Sequence, residues 1–280
     1  FKYVLTACSM FVFLICLENL STAMLLCITI LCMMIIGRVP MSQIGKLVGT
    51  VLIGICLIFA AVMIVGQDKG ETAQKPENTL TENVNEEKET PGTLEKMFHR
   101  ADTWKARIDK FLNSKPVAPE DVDLDKDAQV AHANIAIASS NIVGKGPGNS
   151  VERDFLSQAF SDFIYAIIIE EMGIWGAVFV AMLYIILLFR AGKIGNSCEN
   201  SFPAFLSMGL AIRLEVQALF NMAVAVGLAP VTGQPLPLIS RGGTSTIINC
   251  LYLGIILSIS RTAKKKDLPQ NEANFDKFAA

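Results

Sequence analysis

Asp162 is the residue around which the chemistry of this chain can be organised. It follows Ser161 and precedes the run Phe163-Ile164-Tyr165-Ala166-Ile167, at the border where a polar stretch gives way to an apolar one. A carboxylate at such a border can cap the helix that follows, anchor it at an interface, or act as a general base toward a hydroxyl within about 3 Å. Further along the same apolar stretch stand two adjacent carboxylates, Glu170 and Glu171. Ionisable groups inside a membrane helix are costly and mark function by default. Their structural alternative is an ion pair with Arg213 on the next apolar segment. Arg213, Gln217 and Asn221 recur at four-residue spacing and share one helix face, which must point into a bundle. There Gln217 and Asn221 would act as polar ties between helices.

The cations and glycines upstream offer partners for an anion. Gly144-Lys145-Gly146-Pro147-Gly148 is too glycine-broken for a regular helix or strand. It lacks the G-x-x-x-x-G-K-[ST] spacing of a nucleotide loop. It reads either as a connector or as a place where backbone N–H groups and Lys145 meet an anionic ligand. Arg100 and Arg107 flank Trp104 at helical spacing. That patch suits anchoring at a membrane surface or, through the guanidinium fork, recognition of a lipid-linked phosphate. The two histidines, His99 and His132, lie too far apart to suggest a zinc site. The seven cysteines form no CxxC motif and avoid residues 67–160, so no disulfide framework is legible.

The elements that must position these groups are membrane helices. The chain is 52% hydrophobic and 18% charged, too apolar for an ordinary soluble domain, and its net charge of -2 gives no reason to expect nucleic acid. A helix needs roughly 20 apolar residues to cross a bilayer. Apolar segments at residues 3–17, 22–36, 47–65, 163–189, 202–226 and 246–260 approach or meet that length, predicting six spans. The first begins abruptly at Phe1, without a basic leader, which suggests the C-terminal part of a larger membrane protein.

Between the third and fourth spans the composition inverts. Residues 68–93 are rich in Glu, Lys, Thr, Asn and Gln and are expected to be disordered. Residues 94–112 have the pattern of an interfacial helix, and 128–142 form a second helix leading to the glycine loop. A later stretch, GLAPVTGQPLPLISRGGTS, holds four glycines and three prolines and must be a structured re-entrant or surface loop. Arg38 with Lys46, Arg190 with Lys193, and the cluster from Arg261 to Lys266 mark alternate connections as cytoplasmic. The organisation is therefore helices over 1–66, an extracytoplasmic loop over 67–160, helices over 161–260 joined by an outer proline-rich loop, and a cytoplasmic tail over 261–280.

Several stretches together resemble the SEDS family of bacterial polytopic membrane proteins, the FtsW/RodA/SpoVE type. GKGPGNS is similar to the family's G-x-G-x-G-x-S loop, and LSQAFSDFIYAIIIEEMG to its LPExxTDFIFAxxxEELG signature. QALFNMAVAVGLAPVTGQPLPLISRGGTS is similar to QxxxNxxxxxGxxPxTGxxLPxxSYGGSS, and ENLSTA stands where the family has QPDLGTA. The long acidic insertion and the GQPLPLIS wording lean toward the division-specific branch. Ser157 and Gln158 depart from the usual Pro-Glu, and Arg241 stands where most members have Tyr.

The resemblance implies an all-α polytopic membrane protein, a helical bundle with about six of ten spans in this chain. It implies a peptidoglycan glycosyltransferase that polymerises lipid II at the outer face of the cytoplasmic (inner) membrane and releases undecaprenyl diphosphate with inversion. The implied partners are a class B penicillin-binding protein and other division membrane proteins. Asp162 falls on the family's essential acid. Arg100, Arg107, Lys145, Arg153 and Ser240 become candidates for substrate binding, and Gly146, Gly148, Glu171, Gln217 and Asn221 for support. No cofactor is implied with certainty; a divalent cation, Mg or Mn, could assist the leaving diphosphate. Two other functions fit the polar intramembrane residues: a lipid II transporter lined by Glu170, Glu171 and Arg213, and a non-catalytic scaffold for division proteins.

Overall fold

The computed structural model describes residues 2–49, 124–156 and 158–264. Most of the third predicted span, the acidic stretch, the interfacial helix with Arg100, Trp104 and Arg107, Ser157 and most of the tail lie outside the described residues. The chain divides into two compact units, one of Phe1–Gly37 with Phe111–Ala280 and the other of Arg38–Lys110. In the second unit the described part turns at Arg38, whose φ is 54°, and runs as helix over 41–49.

The first unit is helical. Helices α1 (Lys2–Glu18) and α2 (Leu20–Ile36) form a hairpin. Asn19 breaks them apart: its backbone is extended and its side chain accepts from Thr22 N–H at 3.2 Å, an ordinary N-cap. Then follow α3 (Leu124–Ser139), a 3₁₀ turn at Glu152–Asp154, α4 (Ile164–Ser197), α5 (Ser201–Ala225) and α6 (Gly243–Lys264). Among the described residues there is no strand. Among the described residues three helices are long and apolar enough to cross a membrane: α4, α5, and α6 over Gly243–Ala263.

Helix α4 is the exception to a simple span. Its 34 residues would measure about 51 Å as one straight helix at 1.5 Å per residue. Gly173 breaks it, with φ 67° and ψ −164°, a conformation open essentially only to glycine. Before the kink the short segment from Ile164 is enclosed: Tyr165, Ala166, Ile167, Ile169 and Glu170 are all buried. After it, Trp175, Val178, Phe179, Leu183, Ile185 and Phe189 are exposed, the apolar face a lipid-facing span requires. The fourth predicted span is therefore two pieces, divided at Gly173.

Two cores hold the enclosed segment. Ala133 of α3 packs with Leu156, Ala159, Phe163, Ala166 and Ile167 on one side. On the other, Tyr165 and Ile169 pack with Val180 and Tyr184 of α4, Ala218 and Met222 of α5, and Leu236 from the α5–α6 loop. Asp162 thus stands at the head of a helix clamped from both sides.

Candidate active site

The loop from Asn141 to Val151 docks against the kink of α4. The N–H groups of Lys145 and Gly146 donate to the carbonyls of Glu170 (2.9 Å) and Glu171 (2.8 Å), in the last turn before the break. A kinked helix leaves such carbonyls without partners of their own, and the loop supplies them. The two backbones approach so closely that a Cβ on Gly144 would lie 2.4 Å from the Glu171 carbonyl oxygen, and one on Gly173 2.3 Å from that of Ile142. Only glycine fits at either place.

Glu170 locks this junction. It is fully buried, yet its carboxylate accepts from Lys145 Nζ at 2.6 Å, Ser150 Oγ at 2.5 Å and Val151 N–H at 3.1 Å. A buried carboxylate is tolerable only when its charge and lone pairs are met in this way. A second pair holds the turn that follows: His132 Nδ1 of α3 lies 2.6 Å from Glu152 Oε2, with the imidazole stacked on Phe155.

The α5–α6 loop does not cover the end of α5 but runs back along it, the re-entrant form of the two the sequence allows. Asn221 Nδ2 donates to the Gln234 carbonyl at 2.8 Å, Gln217 Nε2 to that of Pro235 at 2.8 Å, and Tyr184 Oη of α4 to that of Pro237. On its other side the loop meets α2, where Ser21 Oγ donates to the Thr232 carbonyl and Gln234 Nε2 to Thr22 Oγ1.

The loop and the segment of Asp162 are then stitched together. Asn221 Nδ2 also donates to the Asp162 carbonyl at 2.8 Å, and Ser240 Oγ donates to the Ser161 carbonyl at 2.6 Å while accepting from Leu236 N–H at 2.7 Å. Arg241 N–H donates to the Phe160 carbonyl at 2.7 Å. The carboxylate of Asp162 is half-buried and accepts one hydrogen bond among the described residues, from Ser161 Oγ at 2.9 Å. Its Oδ2 faces Gly233, where a Cβ would sit 3.5 Å away. The N-cap position of α4 is Phe163, with no side-chain cap hydrogen bond. The capping role open to Asp162 in the sequence is therefore not the one it plays.

Over residues 90–265 the chain matches the family described as "Cell cycle protein", FtsW/RodA/SpoVE. The chain belongs to that family. It is 38% identical over 136 residues to "Probable peptidoglycan glycosyltransferase FtsW" of Coxiella burnetii, covering 47% of this chain and 37% of that protein. Proteins of the same name from Geobacter sp. and Methylococcus capsulatus are 34% identical over 171 residues and 40% over 139. Those two alignments cover 61% and 48% of this chain and 45% and 35% of the relatives. The matched region thus spans less than half the length of these relatives. A chain from a solved structure titled "Structural coordination of polymerization and crosslinking by a peptidoglycan synthase complex" is 29% identical, with 58% of this chain and 47% of that chain covered and a TM-score of 0.40. At that score the likeness supplies no geometric argument.

Within the FtsW/RodA/SpoVE frame, this all-α membrane protein gives several candidate residues tasks other than those the motifs suggest. Lys145 is held by Glu170 rather than free for an anion. Ser240 is 7% exposed, and its hydroxyl is spent on the Leu236 N–H and the Ser161 carbonyl. Arg153 points its Nε at Asp154 Oδ1, 3.3 Å away on the surface. The supporting carboxylate is Glu170; Glu171 contributes its backbone carbonyl. Arg213 bonds Gln217 Oε1 at 3.0 Å, so the alternative ion pair with Glu170 or Glu171 is replaced by the one with Lys145. Gln217 and Asn221 tie a helix to a loop rather than to another helix. Gly146 and Gly148 hold φ values of 92° and 83°, the left-handed region that favours glycine. Arg100 and Arg107 lie outside the described residues. Ser150, Tyr184, Gly233 and the His132–Glu152 pair belong to the assembly without having been singled out; Ser150 and Gly233 sit in matched motifs, while His132 and Glu152 carry no local signal.

Proposed function

We propose that the protein to which this chain belongs is a peptidoglycan glycosyltransferase that polymerises lipid II into glycan strands for septal wall synthesis. The reading puts the reaction at the extracytoplasmic face of the bacterial cytoplasmic membrane, beside a class B penicillin-binding protein and other division proteins. One observation carries it: Asp162 is held by its backbone while, among the described residues, its carboxylate is committed to neither a cap nor an ion pair. The names of the relatives support the reaction class.

The step is an inverting displacement. The acceptor sugar's hydroxyl oxygen bonds to the donor's anomeric carbon as the bond from that carbon to the diphosphate oxygen breaks. The bonding electrons leave with the undecaprenyl diphosphate, and the hydroxyl proton passes to the Asp162 carboxylate. A positioned base of this kind contributes roughly 10²–10⁴-fold. Ser161 Oγ orients Oδ1 and leaves Oδ2 for the acceptor. Among the described residues no three carboxylate, imidazole or thiol groups gather to ligate a divalent cation.

The transporter alternative loses two of its three residues, because Glu170 is fully buried in its own hydrogen bonds and Arg213 is bonded to Gln217. The decisive test is Asp162→Asn in the full-length protein with its partner, supplied with lipid II. Glycan product should fall about 10²-fold or more with substrate binding retained. Undiminished product refutes the assignment of the base.

A further inference from the structure

The leaving diphosphate needs a cation, and the candidate cations among the described residues already have partners. Lys145 is held by buried Glu170, Arg153 pairs at the surface with Asp154, and Arg213 donates to Gln217. Arg241 differs from all three. Its backbone N–H is bonded to the Phe160 carbonyl, and its neighbour Ser240 is bonded to Ser161, so it is fixed beside the base segment. Its side chain is exposed, and among the described residues no ion pair or hydrogen bond engages its guanidinium. A planar guanidinium presents paired donors matched to phosphate oxygens, and an uncommitted one gives up no existing partner to bind them.

We propose that Arg241 is the residue that receives the diphosphate of the lipid-linked donor next to Asp162. The proposal deepens the glycosyltransferase reading and rests on it for the identity of the donor. The chemistry recognised is a lipid-linked diphosphate ester, with the cation drawing charge from the phosphoryl oxygens as the anomeric bond breaks. Arg241 stands where the resemblance expects Tyr, a neutral hydroxyl. In this chain that position therefore carries a charge the typical member lacks there.

The test uses the full-length protein in nanodiscs of zwitterionic lipid. A polyprenyl diphosphate and the matching polyprenol are titrated against the wild type, Arg241→Gln, Arg241→Lys and Asp162→Asn. The wild type should prefer the diphosphate by at least about tenfold, as charge-assisted hydrogen bonds do. Arg241→Gln should erase most of that preference, Arg241→Lys should keep part of it, and Asp162→Asn should keep all of it. In the polymerisation assay Arg241→Gln should raise KM for lipid II. Equal diphosphate preference in Arg241→Gln and the wild type overturns the proposal. So does displacement of the diphosphate by phosphatidylglycerol, which would reassign Arg241 to membrane headgroups. If binding behaves as expected but the wild type makes no glycan, the diphosphate site stands and the glycosyltransferase reading falls. Because the side chain is exposed, unfolding midpoints should match across the Arg241 variants, and a lowered midpoint with lost binding would count as refutation by a structural role.

Discussion

Removing Lys145 should harm this protein more than removing the charge of Glu170, although the two form one ion pair. The reasoning is an asymmetry of burial: the Glu170 side chain has no exposure, whereas that of Lys145 retains 29%. In Lys145→Met the carboxylate keeps Ser150 Oγ and Val151 N–H but loses its counter-charge inside an apolar bundle. Breaking a buried pair in this direction costs about 3–5 kcal/mol. In Glu170→Gln the amide keeps the volume and can still accept from Ser150 or Val151, while the Lys145 ammonium turns to water. That change costs about 1–2 kcal/mol, the loss of charged hydrogen bonds without a stranded charge. The double variant should be more stable than Lys145→Met alone, because it removes the uncompensated carboxylate; a coupling of about 1–3 kcal/mol is expected between residues in such direct contact. Thermal unfolding of the purified protein in nanodiscs reads the order. With about 2–4 °C per kcal/mol for a chain of this size, Lys145→Met should lower the midpoint by about 6 °C or more. Glu170→Gln should fall between it and the wild type. If Lys145→Met is no worse than Glu170→Gln, or the double is worse than Lys145→Met, the lock does not work as described.

Two further outcomes follow from the same junctions. Gly144→Ala should destabilise far more than Gly148→Ala, since both residues hold positive φ but only at Gly144 does the added Cβ meet backbone, 2.4 Å from the Glu171 carbonyl; Gly148→Ala should cost only the left-handed strain, about 1–2 kcal/mol, and equal unfolding midpoints would refute the close approach. Ser240→Ala strands a buried N–H at Leu236 and a carbonyl at Ser161, so it should lower stability by about 1–3 kcal/mol and reduce glycan synthesis through kcat, with KM for lipid II held; a change confined to KM would return Ser240 to the substrate.

How far the sequence reaches can be judged residue by residue. The spans were legible because lipid demands long apolar runs, and α5 and α6 begin and end within a few residues of their predicted bounds. The kink in α4 was not, because MGIWG reads as a tolerable glycine in an apolar helix until another backbone is known to press on it. That missing contact also explains why the sequence points to Glu171 as the support where the structure places Glu170. Glu170 and Glu171 are adjacent and share one composition, and their faces differ by about 100° of helix rotation. Only the position of the docked loop decides which one turns inward to Lys145 and Ser150. Lys145 and Ser240 resemble ligand-binding residues in the sequence for the same reason: a motif shows that a polar group is present, not that its hydrogen bonds are already used.

The polar face of α5 is better explained by the loop it holds than by helix association. Pro235 and Pro237 bring no N–H, and a loop running back into an apolar bundle leaves carbonyls that no water reaches. Those of Gln234, Pro235 and Pro237 meet Asn221, Gln217 and Tyr184 in turn, one side chain for each. The prolines force the loop's irregular path, and the amides of α5 make that path affordable in lipid. Loop and helix therefore specify each other. Asn221 carries the consequence to Asp162, because the same amide nitrogen that donates to the Gln234 carbonyl also donates to that of Asp162. The loop cannot shift along α5 without moving the backbone that aims the carboxylate, so the polar residues of α5 position Asp162 without touching its side chain.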